Sequence, residues 1–464
     1  MFFSSIRSVH FVGICGTAMA STAVAMKEKG FQVTGSDNNV DPPMSTFLAE
    51  RQIAIFTGYN EKNLSHNPDL VVIGNAIGRG NPEAEAALER KVRYCSLSEL
   101  LKEFFIRGKR SLVVTGTHGK TTTTSLLTWV FENSGLNPSY LIGGIPTNLS
   151  QGARFTDSPW FIIEGDEYDT AFFDKRSKFV HYLPEVALIN NLELDHADIF
   201  ENVGAVQTAF RRLLSLVPRN GLILANGDDP NLRPLLDFKH SPVQRFGLEA
   251  GNEHQATDLA LSPTKSEFTL GKTRFEISLI GELNVRNALG VVACARHCGI
   301  SDAQIQSALS SFKGVKRRME VRGVRGGVTV VDDFAHHPTA IRETLKALRV
   351  RFPGQPIWAI FEPRTNSTRR NVFQKDLPDS FNEATHVIVA AVANPELVPD
   401  GQRLDPSQVV TDLQARGKDA VFVPTVDAIL SRVTSQARKG EVVCVFTNGG
   451  FGNIHQRLLD ELPQ

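Results

Sequence analysis

Short apolar runs, each closed by a turn of small or polar residues, recur along the chain and alternate with longer stretches of helical period. Runs at 9–14, 31–35 and 69–75 predict strands, while 17–29, stopped by Gly30, and 97–105 predict helices. The pattern restarts at 111–115, with a helix over 121–133 ended by Ser134-Gly135 and strands at 160–163 and 186–190. It restarts once more with strands at 328–331, 357–361, 386–391 and 442–446 and helices at 338–349 and 454–461. Runs that are apolar throughout, rather than alternating, suit parallel sheets covered on both faces. The prediction is an α/β protein of three units, residues 1–108, 109–314 and 315–464. The basic segment Arg107-Gly108-Lys109-Arg110 would be the first linker and the region of Gly314 a hinge.

Polar residues gather where these strands end, which is where open α/β sheets bind ligands. The strongest such cluster is Thr115-Gly116-Thr117-His118-Gly119-Lys120-Thr121-Thr122, between an apolar strand and a helix. A strand, a small-residue loop and a helix N-terminus present unpaired amides and the positive helix end to one point, which binds phosphate. Lys120 would reach the outer phosphates of a nucleoside triphosphate, and the Thr121 hydroxyl would take a place on magnesium. The match is imperfect, because Val114 stands where the common pattern has its first glycine. Glu164, after a second strand, is a suitable magnesium ligand, whereas His196, after a third, is less expected on a metal that prefers oxygen. In the first unit, Gly13 and Gly16 sit in a turn like the dinucleotide fingerprint but without its middle glycine. That turn is equally a plain tight connection; Asp37 beyond it could accept hydrogen bonds from a ribose or uracil.

Composition narrows the partners. Fifty basic residues balance fifty acidic ones, so there is no footprint for nucleic acid. No apolar run approaches a bilayer span, and Met-Phe-Phe-Ser-Ser-Ile-Arg lacks a signal-peptide pattern, so membrane insertion is not expected. Five scattered cysteines point to free thiols in a reducing compartment, the cytoplasm. Cys294, His297 and Cys298 share a predicted helix and read as core packing rather than a metal site.

The segment Thr115–Thr122 resembles the phosphate loop of the Mur ligase family, the ATP-dependent amide-forming enzymes of peptidoglycan assembly. The resemblance covers essentially the whole chain. It implies a Rossmann-like N-terminal domain for the UDP-sugar, a central P-loop ATPase domain, and a Rossmann-like C-terminal domain for the peptide acceptor. It assigns ATP to Gly116, Thr117, His118, Gly119, Lys120, Thr121, Thr122, Asn287, Arg318, Asp333 and His336. It assigns Mg2+ to Thr121, Glu164 and His196, and catalysis to Lys120, Glu164, His196 and Arg318. Gly281-Glu282-Leu283-Asn284-Val285-Arg286-Asn287 resembles the family's adenine-contacting stretch, with Leu283 in place of its histidine.

Longer strings narrow the likeness to the branch that joins UDP-N-acetylmuramate to the recycled murein tripeptide. These are Val72–Ala76 with Arg79–Pro82, Glu164–Phe179, Asp332–Pro338, Glu362–Asn366 and Asn448–His455. On that reading Gly13, Gly16, Asp37 and Asn75 meet the UDP-sugar, and Arg364, Asn366, Asn448 and Gly449 meet the acceptor peptide. A monomer or weak homodimer is expected. The rival within the family adds L-alanine to the same sugar nucleotide; the rival from another class is a nucleotide-gated binding protein without turnover.

Overall fold

The computed structural model describes residues 6–463; the N-terminal stretch read above for a signal pattern lies largely outside them. Three parallel-sheet units follow one another along the chain. In the first, five parallel strands run in the order Ala54–Thr57, Gln32–Asp37, Ser8–Val12, Leu70–Ile73, Tyr94–Ser96. Buried residues cover the inner strands of this sheet, as continuous apolar runs require.

The central sheet has ten strands, in the order Thr273–Ile277, Ser266–Leu270, His254–Leu261, Val243–Gly247, Leu222–Asn226, Val186–Ile189, Arg110–Thr115, Trp160–Gly165, Ser139–Leu141, Ala153–Arg154. Its middle is parallel, and its two edges turn antiparallel. The third sheet orders Glu320–Arg325, Val328–Asp333, Val442–Phe446, Ile357–Phe361, His386–Val389, Asp419–Phe422, parallel except at its first edge. Three strands that carry predicted chemistry, Arg110–Thr115, Trp160–Gly165 and Val186–Ile189, are direct neighbours, so their carboxyl ends open on one crevice. No helix among the described residues is long and apolar enough to cross a membrane.

Side-chain contacts fasten both connections between the units. Helix Leu97–Leu101 runs into a π-turn over Lys102–Ile106, and Phe105 packs on Phe155 of the central unit with ring centroids 4.4 Å apart. Lys109 donates to Ser139 Oγ at 2.9 Å, and Arg110 already belongs to a strand, where it pairs with Glu185. Lys109 and Arg110 are fastened to the central unit, the Arg110 guanidinium also lying 4.1 Å from the centroid of the Trp160 ring. At the second junction Gly314 has φ +83°, while Arg317 and Met319 hold φ +61° and +48°, a backbone that side chains seldom adopt. The Asp333 carboxylate holds this bend by accepting Met319 N at 2.7 Å and Ala335 N at 2.8 Å. Cys294 is fully buried in an apolar cluster on helix Glu282–His297.

A buried acid locks the first unit. Glu83 accepts from His10 Nε2 at 3.0 Å, Ser36 Oγ at 2.6 Å, Asn63 Nδ2 at 2.6 Å and Asn60 N at 3.1 Å, with its side chain wholly shielded. Burial pushes its pKa up, but these donors outweigh it and hold the carboxyl below the ordinary glutamate value. Glu83→Ala is expected to cost about 3 kcal/mol or more, since it strands several buried donors. Because the folded pKa is depressed, the carboxylate's contribution is present above the unfolded pKa and lost as pH falls through the folded one. Urea unfolding should therefore show a deficit at neutral pH that shrinks in acid.

Candidate functional site

The loop predicted to hold phosphate, Thr115–Thr122, turns on two glycines with positive φ. Gly116, at φ +131°, lies so close to Asn191 that a Cβ would sit 3.0 Å from its backbone N and O; Gly119, at φ +77°, would meet Asn287 Oδ1 at 2.6 Å. Val114 occupies the position of the missing glycine because the strand continues through Thr115. Helix Lys120–Asn133 then begins, and its first amides point into a cleft of about 1260 Å³ between the central and C-terminal units. Thr117 N and His118 N are already spent on Asn191, so the donors aimed at the cleft come from Gly119 onward.

Lys120, Thr121, Glu164, His196 and Arg318 all line this cleft. Thr121 Oγ1 donates to Glu164 Oε1 at 3.0 Å and receives Arg318 from across the domain junction at 3.2 Å. Gly143 N holds the other Glu164 oxygen at 2.8 Å. A Cβ on Gly143 would touch that carboxylate and one on Gly144 would touch Thr121, so the pair of glycines forms a cradle. Burial raises the pKa of Glu164, against the pull of the Gly143 amide, Lys120 and Arg318.

Two acids were legible only as part of a string. Glu167 takes Lys120 Nζ at 2.7 and 2.9 Å and faces His196 Nε2 at 3.3 Å. Asp166, Glu167 and His196 place ligand atoms within 4.8 Å of one another. Burial alone would lower the His196 pKa, but the hydrogen bond and charge of Glu167, then Asp195, raise it to about 9. Asp166 is held below the ordinary carboxylate range despite burial, because Lys178 lies 2.6 Å away and Lys120 is near. The spacing of Glu167, three residues past Glu164 at the same strand end, is the signal that could have singled it out.

The remaining predicted residues divide. Asn287 sits beneath Gly119, and Asp333 and His336 line the same cleft, although both Asp333 oxygens already accept backbone amides. The His118 ring turns away from the loop mouth towards Glu193 and His337. Thr122 lies on the cleft wall. Gly13, Gly16, Asp37 and Asn75 do not line this cleft. Asp37 braces its own turn by accepting Cys15 N at 2.9 Å, and Asn75 donates to the carbonyls of Asp169 and Thr170 in the central unit. In the C-terminal unit Arg364 lies flat over Gly449, where a Cβ would collide with the guanidinium, and pairs with Glu362 at 3.4 Å. Asn448 Nδ2 donates at 3.0 Å to Phe334 O and meets His336 Nδ1 at the same distance, while Asn366 crosses the junction to Asp198 at 2.8 Å.

Family profiles match three consecutive stretches: "Mur ligase family, catalytic domain" over residues 8–109, "Mur ligase middle domain" over 114–295, and "Mur ligase, glutamate ligase domain" over 317–449. The chain is 43% identical over 98% of its length to the UDP-N-acetylmuramate–L-alanyl-γ-D-glutamyl-meso-2,6-diaminoheptandioate ligase of Escherichia coli K12, covering 98% of that protein. It is 33% identical to the UDP-N-acetylmuramate–L-alanine ligase of Clostridium acetobutylicum over 83% of each chain. Among solved structures, a murein peptide ligase from Psychrobacter arcticus 273-4 superposes with TM-score 0.73 at 34% identity, covering 98% of both chains.

Glu167 sets the proton affinity of His196 in the ligand-free chain. Glu167→Gln should therefore bring the His196 titration down from about 9, followed by proton NMR of the imidazole. In the wild-type chain the sign is that of a raised base. The stability His196 contributes is full below its unfolded pKa and is lost as pH climbs through about 9. An unchanged midpoint in the variant would remove Glu167 as the cause.

Proposed function

Because the chain belongs to the Mur ligase family, we propose that it joins the lactyl carboxylate of UDP-N-acetylmuramate to the amine of L-alanyl-γ-D-glutamyl-meso-diaminopimelate, converting ATP to ADP and phosphate. The main support at the site is that Lys120, Thr121, Glu164 and Arg318 line one cleft between the ATPase unit and the acceptor unit, with Glu167 paired to Lys120. The proposed division assigns the sugar nucleotide to residues 1–108, ATP to 109–314 and the peptide to 315–464.

A carboxylate does not acylate an amine at neutral pH, because oxide is its leaving group. In the proposed reaction a carboxylate oxygen attacks the γ-phosphorus, the bond to ADP breaks, and an acyl phosphate forms. The amine then attacks the acyl carbon, phosphate departs, and the amine loses a proton. Lys120 and Arg318 bring positive charge to the transferring group, and the first-turn amides of helix Lys120–Asn133 hold the phosphates. The glycine cradle around Thr121 and Glu164, with Asp166, Glu167 and His196 beside it, fits Mg2+ in its hard oxygen donors. Such an ion supplies charge neutralisation on the phosphates. When nucleotide enters, Lys120 must exchange Glu167 for phosphate. That exchange keeps a shielded ammonium paired throughout.

Arg364 is the proposed anchor for an acceptor carboxylate, since its planar fork matches one and its pairing with Glu362 is loose and partly exposed. The reading places the enzyme in the cytoplasm, where its sugar nucleotide and ATP are made available.

Phosphate release with a panel of acceptors tests this reading. The tripeptide should support turnover far better than L-alanine, and preference for L-alanine would give the chain to the other branch. Lys120→Ala should lose on the order of a hundredfold or more in rate, several kcal/mol in the transition state. Near wild-type turnover would contradict the assignment.

Arg364→Ala should raise the KM for the tripeptide by about tenfold or more, the loss of one charged hydrogen bond, with little effect on that for ATP. Gly449→Ala should act in the same direction, because its methyl group displaces the guanidinium. A Gly449→Ala enzyme with an unaltered tripeptide KM would argue against this position for Arg364.

A further inference from the structure

A second cluster of metal-type side chains lies outside the phosphate site, where the ATPase and C-terminal units meet. His118 comes from the phosphate loop, Glu193 from the loop after strand Val186–Ile189, and His337 from the N-cap of helix Pro338–Arg351. The two rings pack 4.3 Å apart, and both histidines are more than nine-tenths buried. His118 Nε2 has no hydrogen-bond partner, although it is buried and lies 3.5 Å from a Glu193 oxygen. A buried nitrogen left in that state is unusual, since such groups are nearly always satisfied.

Both histidine nitrogens stand at ligand-to-ligand spacing from one Glu193 oxygen, and all three ligand atoms lie within 4.8 Å of one another. His337 Nδ1 lies 3.5 Å from the same Glu193 oxygen. A tetrahedral ion with bonds of about 2.1 Å puts neighbouring ligand atoms about 3.4 Å apart. His337 Nε2 meets the carbonyl of Leu194 at 3.1 Å. That is how a metal-bound imidazole is normally oriented, with its second ring N–H donated to a carbonyl. Two imidazoles and one carboxylate suit zinc-class ions and disfavour magnesium, which prefers oxygen. We propose that His118 Nε2, Glu193 and His337 Nδ1 form a site for a transition-metal cation of the zinc class, with its fourth position open. The ion takes the Nδ1 lone pair that now accepts Thr339 N at 3.2 Å, and Thr339 Oγ1 keeps its 2.7 Å bond to Glu193. Bound there, it ties the phosphate loop to the C-terminal unit and holds the two units together.

Cobalt(II) is the probe, because tetrahedral nitrogen and oxygen ligation gives it a visible absorption band and thiolate ligation adds a separate near-ultraviolet one. The full chain is titrated with cobalt chloride in excess magnesium, which occupies the oxygen-rich phosphate site. The expected result is one equivalent of visible band without a thiolate band, together with a higher thermal unfolding midpoint. His337→Asn, which keeps an N-capping side chain, and Glu193→Gln, which can still accept from Thr339, should each abolish both. No band, a band that survives both substitutions, or one that vanishes with Glu167→Gln or Cys294→Ala instead would overturn the assignment.

Discussion

A lysine ammonium at the base of a shielded cleft cannot stay unpaired, and the centre of this molecule is arranged around that constraint. Lys120 is 13% exposed and its partner Glu167 only 3%, so the pair sits where removing either charge strands the other. Desolvation by itself would strip the Lys120 proton; the neighbouring Glu167, Asp166 and Glu164 charges reverse that and keep the ammonium. His196 meets the same carboxylate at 3.3 Å, so Glu167 is shared between two cations while Asp166, Glu164 and Asp195 add negative charge around them.

That arrangement depends on sheet order. The strands that lead into Lys120, into Glu164 with Glu167, and into the loop of His196 are adjacent and parallel, so their carboxyl ends converge. Glycine does the rest at a few points. Gly116 and Gly119 let the loop press against Asn191 and Asn287, and Gly143 and Gly144 let backbone close over Glu164 and Thr121. The C-terminal unit adds Arg318 through a bend whose left-handed residues are held by the Asp333 carboxylate. Asp333 thus has a mechanical part in the ligand-free chain beyond any contact with a ribose.

The features that depend on local sequence were the legible ones. A strand, a glycine turn and a helix are written consecutively in 111–133, so this strand–loop–helix unit is readable even with Val114 where the common pattern has glycine. The buried parallel strands announce themselves by unbroken apolar runs. The antiparallel edge from His254 to Ile277 does not, because strand His254–Leu261 is mostly exposed and carries no such run. Glu167 and Glu193 were visible as acids but not as partners. Their roles depend on which strand ends meet, and that is a tertiary fact. The anchoring of the junction at Arg107–Arg110 was hidden for a related reason, since the partners of Lys109 and Arg110, Ser139 and Glu185, lie far along the chain.

Adjacent residues give the two halves of the site a common structural element. Asp195 accepts Ser367 Oγ at 2.6 Å and lies 3.4 Å from His336 Nε2, both groups belonging to the C-terminal unit. Burial opposes ionisation of Asp195, but His336 and His196 hold its pKa well below the usual range, so it stays a carboxylate. The next residue, His196, turns at φ +53° and reaches Glu167, which in turn holds Lys120. A shift of the C-terminal unit therefore pulls on Asp195, and a change at Lys120 pulls on His196, one peptide bond away. The left-handed turn at His196 keeps these two side chains aimed at different units. A non-glycine residue persists in such backbone where its surroundings over-determine it, as the contacts on both sides do here. The C-terminal unit, through Asp195, and Lys120, through Glu167, thus bear on the same left-handed turn.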